Sequence, residues 1–318
     1  MLEASERRYA NNPNHDAAPS SGSAVPGETP IKQANHLKSA AAIITALLLT
    51  APVAEAEVHV LASDGLRIEI EVAPDRLAAE FGPRFDRTAV VGSVTLDGIE
   101  LVGPWGLSDE FGLYGDGVLG YDAAQPGETF VKIGVGQLVR DTTENYHFAH
   151  PYPVDSLFPV EVTADVASLS VSQRSTGDPG RRYHYRKSYQ LLGADKLVIH
   201  YELSNTGKKA WTFEHYNHHW FRLKDVAIGP AYRVVTGFEL PAADTGLRST
   251  PSSLEMPSPL APGAAAYYAS ELAGVKAGAN TFELQVDGRP MVSYQASFEP
   301  ARFAVYANVD GFCPEVFM

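Results

Sequence analysis

The chain has 318 residues, of which 45% are hydrophobic and 20% are charged, which suffices for one large domain or two small ones and excludes a chain that is disordered throughout. Its formal net charge at pH 7 is −13, so repulsion from phosphates disfavours nucleic acid as a partner and a neutral ligand fits better. The single cysteine, Cys313, excludes an internal disulfide.

Residues 1–56 differ from the rest of the chain. Residues 11–30 are rich in Asn, Pro, Ser, Gly and Ala, so we expect them to be unstructured. Lys38, the apolar run 40–49 and the small residues that end at Ala56 match the three regions of a secretory signal. Because the run is shorter than the ~20 residues that span a bilayer, we expect cleavage after Ala56 and a periplasmic or secreted protein without a stable membrane anchor. A buried Ala/Leu helix is the alternative.

From residue 57 onward, short alternating segments separated by Gly, Pro, Asp and Asn predict β-strands. No shift in composition marks a further boundary, so we expect residues 57–318 to form one all-β domain, a large antiparallel β-sandwich or barrel. The predicted strands are Leu66–Val72, Ala89–Leu96, Thr129–Val139, Ser168–Arg174, Arg182–Leu191, Lys196–Ser204, Ala210–Leu223, Tyr232–Val235, Ala264–Leu272, Thr281–Val286, Val292–Phe298 and Arg302–Val309.

The segment 213–221 (FEHYNHHWF) is the richest in functional groups. Its aromatic neighbours favour an extended strand, in which successive side chains point to opposite faces. Asn217 and His219 then share one face, and His218 and Trp220 share the other. An imidazole beside an indole suits a sugar, because the ring stacks on C–H groups while the imidazole moves a proton near neutral pH. A strand whose rings only fill the core is the alternative.

A second proton-transfer group is needed on the other side of such a substrate. Glu315 follows the predicted strand Arg302–Val309 and stands among apolar neighbours, where desolvation would raise its proton affinity toward that of a useful general base. From the local sequence alone, a solvated terminal glutamate is the preferred interpretation.

Three further residues are candidates for sugar binding. Glu128 lies in the glycine-rich segment 115–136, whose backbone could approach a ligand closely. His150 lies in a second irregular segment, and Arg84 carries a fork of donors that could bind hydroxyl groups or pair with Asp86. The segments lack the glycine pattern of a nucleotide-binding loop, so we expect no nucleotide.

The pattern Asn217-His218-x-aromatic-Phe221, followed by a C-terminal strand that leads to Cys313-Pro314-Glu315, resembles the galactose mutarotase or aldose 1-epimerase superfamily. The segment 120–136, GYDAAxxGExFxKIGVG, is similar to a bacterial subgroup of epimerase-like proteins. The resemblance covers most of residues 57–318 and implies a β-supersandwich that interconverts the anomers of a free sugar.

The resemblance also implies roles for single residues. His218 would protonate the ring oxygen while Glu315 takes the proton of the anomeric hydroxyl, and no cofactor would be needed. Asn217 would orient the site, and His150 corresponds to the family's second histidine. Relatives continue past the late glutamate, so we expect the final strand to be missing here, with a sheet edge left exposed. The sequence gives no indication of the oligomeric state.

Two other functions fit parts of the pattern. A non-catalytic carbohydrate-binding module would use Trp105, Tyr146 and Trp220 as stacking platforms. A zinc enzyme would use His215, His218 and His219, but strand parity places His218 on the opposite face from the other two, so we expect no metal.

Overall fold

Strands dominate the structure, as the alternating segments of the sequence predict. A computed structural model describes residues 2–6, 57–115, 117–242 and 245–318. Its helical elements in that part of the chain are α1 (Asp75–Phe81) and two short 3-10 turns, Tyr121–Ala123 and Ala277–Ala279. The strands, in chain order, are β1 Leu2–Glu6, β2 Glu57–Ala62, β3 Leu66–Val72, β4 Ala89–Leu96, β5 Ile99–Glu100, β6 Val102–Phe111, β7 Val118–Leu119, β8 Thr129–Lys132, β9 Gly136–Val139, β10 Val154–Leu157, β11 Val160–Ala164, β12 Ser168–Arg174, β13 Tyr183–Leu192, β14 Lys196–Asn205, β15 His215–Phe221, β16 Tyr232–Thr236, β17 Arg248–Thr250, β18 Ser253–Glu255, β19 Ala266–Glu271, β20 Thr281–Val286, β21 Arg289–Ala296, β22 Arg302–Asn308 and β23 Gly311–Phe317.

Two large sheets and one small sheet contain these strands. The ten-stranded sheet has the order β11-β12-β13-β14-β1-β21-β20-β16-β18-β17. The nine-stranded sheet has the order β19-β22-β23-β15-β6-β4-β3-β2, with β5 paired to β4, and a four-stranded sheet has the order β10-β9-β8-β7. All pairs except those of β1 are antiparallel. The antiparallel all-β sandwich predicted from the sequence is confirmed.

The main core lies between the two large sheets. Along β3 and β14 every second side chain is buried, as expected for strands with one face in the core. Phe111 of the nine-stranded sheet packs edge-on against Tyr185 of the ten-stranded sheet, with ring centroids 5.2 Å apart. Contacts of this kind fix the two sheets face to face.

Two central strands of the nine-stranded sheet depart from alternation, since every residue of β15 and of β23 is buried. One face of these strands meets the main core. The other face is covered by small apolar clusters that include Leu77 of α1, Phe85 and Leu113. This covered outer face is where the candidate site lies.

Strand β6 was not among the predicted strands. Its sequence, VGPWGLSDEF, contains two glycines and a proline that interrupt the alternation. The interruption has a structural reason at Gly106, where φ is +67° and a Cβ atom would lie 2.1 Å from the carbonyl oxygen of Val91. Only glycine allows β6 to approach β4 this closely. The observed β15 is also shorter than the predicted strand Ala210–Leu223.

The two ends of the described chain both lie in sheets. Leu2–Glu6 runs parallel between β14 and β21, although no strand was predicted within residues 1–56. The predicted signal segment itself lies outside the described residues. The last strand, β23, pairs with β22 on one side and β15 on the other, so Glu315 does not lie on an exposed edge. In the described part of the chain no helix has the length and apolar character needed to cross a membrane.

Candidate active site

A cavity of about 610 Å³ opens on the outer face of the nine-stranded sheet. Its floor is formed by side chains of β15, β22 and β23, and its walls by α1 and the loops that follow β6 and α1. The residues that matter most for its chemistry are Arg84, Trp105, His218, Trp220, Tyr306 and Glu315. The cavity therefore contains both of the predicted proton-transfer residues.

His218 and Glu315 are side by side on neighbouring strands. In the antiparallel register Tyr216 lies opposite Phe317 and Phe221 opposite Phe312, which places His218 opposite Glu315. The imidazole Nε2 is 3.2 Å from the carboxyl Oε1, and both side chains are buried. Two groups nearly a hundred positions apart in the sequence thus form one acid–base pair.

Burial determines how this pair holds protons. Desolvation raises the pKa of Glu315 to about 8, with a further upward contribution from Glu110 and a downward one from Arg84. Desolvation and the nearby positive charge of Arg84 lower the pKa of His218 well below its usual value of 6.5. Both changes favour the uncharged forms. At neutral pH the two facing atoms, His218 Nε2 and Glu315 Oε1, therefore share one transferable proton. It lies on the Glu315 carboxyl and can be donated to the imidazole.

Arg84 lines the cavity next to this pair, and hydrogen bonds to buried residues fix its position. Its Nε donates to Glu110 Oε2 at 2.8 Å, and its Nη2 donates to the Tyr216 hydroxyl at 2.9 Å. The guanidinium lies between two rings, 4.6 Å from the centroid of Phe85 and 4.4 Å from that of Phe148. Arg84 is thus paired with Glu110 rather than with the neighbouring Asp86.

Glu110 is the buried anchor of this arrangement. Besides Arg84, it accepts hydrogen bonds from the Tyr216 hydroxyl at 2.5 Å and from Lys132 Nζ at 3.3 Å. Lys132 also donates to the Tyr146 hydroxyl at 2.8 Å. A carboxylate with this many charged and polar donors holds Arg84 in one position. The sequence did not reveal Glu110, because it lies on the unpredicted strand β6.

Aromatic rings form one wall of the cavity beside the pair. The His218 imidazole stacks on the Trp220 indole with centroids 4.8 Å apart and planes at 26°. Tyr306 lies edge-on to Trp220 at 5.9 Å, and Trp105 lies edge-on at 6.5 Å on another side. Such rings suit the C–H faces of a sugar, whereas the pair and Arg84 suit its oxygens. Tyr146, the third platform predicted for a binding module, does not line the cavity.

The alternation predicted for β15 is observed. His215, Asn217 and His219 point into the main core, on the opposite face from His218. Since His218 faces the other way, the three imidazoles proposed for zinc cannot bind one ion. Asn217 donates to Asp109 Oδ1 at 2.7 Å and accepts from the Tyr294 hydroxyl at 2.8 Å. Asn217 therefore does not line the cavity, although it braces the strand that carries His218.

A buried cluster of charges lies behind that strand and joins the two sheets. Lys187 Nζ is 2.5 Å from Asp109 Oδ2, 3.2 Å from Asp86 Oδ2 and 2.8 Å from the carbonyl oxygen of Ala89. Desolvation is the largest single influence on Asp109 and would raise its pKa, but the attractions of Lys187, His215 and His219 together outweigh it and lower the pKa to about 2. Desolvation would lower the pKa of Lys187, but Asp109 and Asp86 raise it well above its usual value. Asp109 and Lys187 are therefore ionised at neutral pH.

Two predicted sugar-binding residues lie away from the cavity. His150 pairs with Asp141 at 2.8 Å, and its ring lines a separate shallow depression with Tyr152. Glu128 is exposed and accepts a hydrogen bond from the backbone N–H of Gln125 at 2.8 Å. Of the seven predicted site residues, the cavity thus brings together four, which are Arg84, His218, Trp220 and Glu315.

No family model and no curated protein matches the chain. Among solved structures, the chain is similar to the crystal structure of a GalM/aldose epimerase homologue from C. elegans. The TM-score is 0.45 at 11% sequence identity, and the match covers 83% of this chain and 90% of the other.

Proposed function

We propose that this protein interconverts the two anomers of a free, neutral sugar, with His218 and Glu315 as the acid–base pair. The observation that carries the proposal is the 3.2 Å contact between the two groups in an aromatic cavity. The family resemblance of the His218 and Glu315 segments supports the same reaction.

The reaction needs one proton donor and one proton acceptor at the same time. Opening of the sugar ring breaks the bond between the anomeric carbon and the ring oxygen. A proton is added to the ring oxygen and another is removed from the anomeric hydroxyl, which becomes the carbonyl. Rotation about the C1–C2 bond and closure by the reverse transfers give the other anomer. The pair holds one proton in total, so one group can donate while the other accepts.

Either assignment of donor and acceptor conserves protons. With the proton on Glu315, the carboxyl donates to the ring oxygen and His218 Nε2 accepts the proton of the anomeric hydroxyl. With the proton transferred to His218, the roles are those implied by the family resemblance. Ring closure uses each group in the opposite sense, so the resting position of the proton does not exclude either direction.

Arg84 and the aromatic wall would orient the sugar. Two N–H groups of the guanidinium donate to Glu110 and Tyr216, and within the described residues the others have no hydrogen-bond acceptor and could donate to sugar hydroxyls. Among the described residues that line the cavity, Arg84 is the one cationic side chain and is already paired with Glu110, and Glu315 is uncharged at neutral pH. The cavity is therefore suited to neutral sugars rather than to sugar phosphates.

A non-catalytic carbohydrate-binding protein is the second candidate, favoured by the rings of Trp105, Trp220 and Tyr306. A panel of free aldoses, each supplied as one pure anomer and followed by polarimetry, distinguishes the two. Interconversion faster than in buffer alone supports the isomerase. Binding of a sugar without interconversion supports the binding protein.

We also propose that the protein is exported, because residues 38–56 have the pattern of a secretory signal. N-terminal sequencing of periplasmic or secreted material should give a chain that begins at Glu57. A mature chain that retains Lys38 would contradict this. Cleavage would also remove Leu2–Glu6 from the gap between β14 and β21.

A further inference from the structure

The cavity is larger than one sugar ring requires. If each non-hydrogen atom took as much room as a water molecule in the liquid, about 30 Å³, a hexose would occupy roughly 360 Å³. The cavity volume is about 610 Å³. A hexose placed at His218 and Glu315 would leave a large part of it unfilled, so the direction in which the cavity continues is informative.

The register of the sheet shows that direction. Beside Glu315 on the next two strands lie Ala304 and then Ala269, so no large side chain rises from the sheet there. One row further along, Tyr267 of the edge strand β19 lies directly opposite Tyr306. Tyr267 and Tyr306 both line the cavity, which therefore extends from Glu315 toward the edge strand β19.

Tyr114 lies at this end of the cavity and is held firmly for a loop residue. The guanidinium of Arg302 lies 4.5 Å from its ring centroid, and its backbone N–H donates to Glu214 Oε2 at 3.2 Å. Partial burial and the neighbouring Tyr114 phenol raise the pKa of the Tyr267 phenol. Both tyrosines line the cavity.

These two rings are nevertheless open to solvent. Tyr114 is 60% exposed and Tyr267 is 44% exposed, and both are among the large hydrophobic residues that the fold leaves on its surface. An exposed ring that is already fixed by its neighbours loses little conformational entropy when a ligand stacks on it. That combination is typical of a binding platform.

On the premise that the proposed function is correct, we propose that Tyr114 and Tyr267 form a second sugar subsite. It takes the neighbouring ring of a disaccharide or oligosaccharide whose reducing-end ring lies at His218 and Glu315. The second ring should be neutral, because the cation that lies over Tyr114, Arg302, is already paired with Glu271. The preferred substrates are then free oligosaccharides rather than monosaccharides.

The test compares cellobiose, maltose and lactose with glucose, which is the reducing-end ring of all three. We expect at least one disaccharide to have a higher kcat/KM than glucose. Replacing both tyrosines by alanine should lower the disaccharide-to-glucose ratio about tenfold, the effect expected for the loss of one good stacking contact. The Tyr114→Phe/Tyr267→Phe variant keeps the rings and should keep the ratio. Leu192→Ala, at a residue with a similar 42% exposure on the other large sheet, should not change the ratio.

Failure of the subsite and failure of the proposed reaction give different results. If no sugar is interconverted, the same sugars are titrated against the intrinsic fluorescence of the wild-type protein, since Trp105 and Trp220 line the cavity. Tighter binding of a disaccharide that the double alanine variant abolishes would support the subsite even then. Binding or turnover that never favours a disaccharide, a ratio that the double alanine variant leaves unchanged, or no sugar bound at all would overturn it.

Discussion

His218 and His219 are adjacent in the sequence, yet their imidazoles lie on opposite faces of one sheet. His218 faces the cavity, 3.2 Å from Glu315, whereas His219 faces the main core, with its Nε2 4.0 Å from Asp109 Oδ1. The two residues have the same chemistry and nearly the same burial. Replacing each histidine in turn therefore separates the loss of a group in the cavity from the loss of any buried histidine.

We predict that His218→Asn lowers kcat/KM by about 10²-fold or more, since a positioned proton-transfer group typically contributes that much. His219→Asn should lower it by less than about tenfold, because the side chain does not reach the cavity. Rates measured by polarimetry, on variants whose circular dichroism matches the wild type, provide the check. A large loss for His219→Asn with a small loss for His218→Asn would show that the cavity is not the active site.

The pair also predicts a pH profile. Because the pKa of His218 is lowered well below 6.5, a second proton is added to the pair only well below that pH, and the pair then loses its acceptor. Above pH about 8, the pKa of Glu315, the pair loses its only proton and with it the donor. We therefore expect a bell-shaped profile of kcat/KM with an alkaline limb near pH 8 and an acid limb well below pH 6.5. The spontaneous rate in each buffer must be subtracted. An enzymatic rate that keeps rising above pH 9 would contradict the role of the shared proton.

The charge cluster behind β15 predicts a large effect on stability. Lys187→Met leaves the buried carboxylates of Asp86 and Asp109 without their cation and should lower the free energy of unfolding by about 3–5 kcal/mol. Removing one carboxylate as well, in Lys187→Met/Asp109→Asn, should restore part of the loss. Urea unfolding at pH 7 measures both.

Lys276→Met is the matched control for that cluster. Lys276 pairs with Glu299 at 3.0 Å, but its side chain is 76% exposed, so this substitution should change stability by less than about 1 kcal/mol. Equal losses for Lys187→Met and Lys276→Met would mean that the buried cluster is not ionised in the folded protein.

Strand alternation and local apolarity made part of the site predictable. The alternation placed His218 and Trp220 on one face, and the apolar surroundings of Glu315 indicated a raised pKa. The same alternation placed Asn217 on the opposite face from His218, where the structure also finds it. The family resemblance added Asn217 to the site, but a position shared with relatives does not say which face a side chain uses.

Other parts of the site depend on contacts that a linear sequence does not show. Glu110 lies on β6, whose glycines and proline hide the strand pattern, and it anchors Arg84 across the fold. In the sequence, Lys187 is simply one polar residue in an alternating strand. Its role cannot be seen there, because its two carboxylate partners come from distant segments. Sequence periodicity identifies which face of a strand is buried, but it cannot pair charges from different sheets.

The central claim is tested most directly by the rate of anomer interconversion in wild type, Glu315→Gln and Glu255→Gln. Glu315→Gln preserves the shape of the side chain and removes its titratable proton, while Glu255 lies on β18 of the other large sheet and pairs with Arg248. The account predicts that at least one free aldose or disaccharide is interconverted by wild type and by Glu255→Gln at similar rates, and about 10²-fold or more slowly by Glu315→Gln, which still binds the sugar. An equal rate in all three proteins would contradict it.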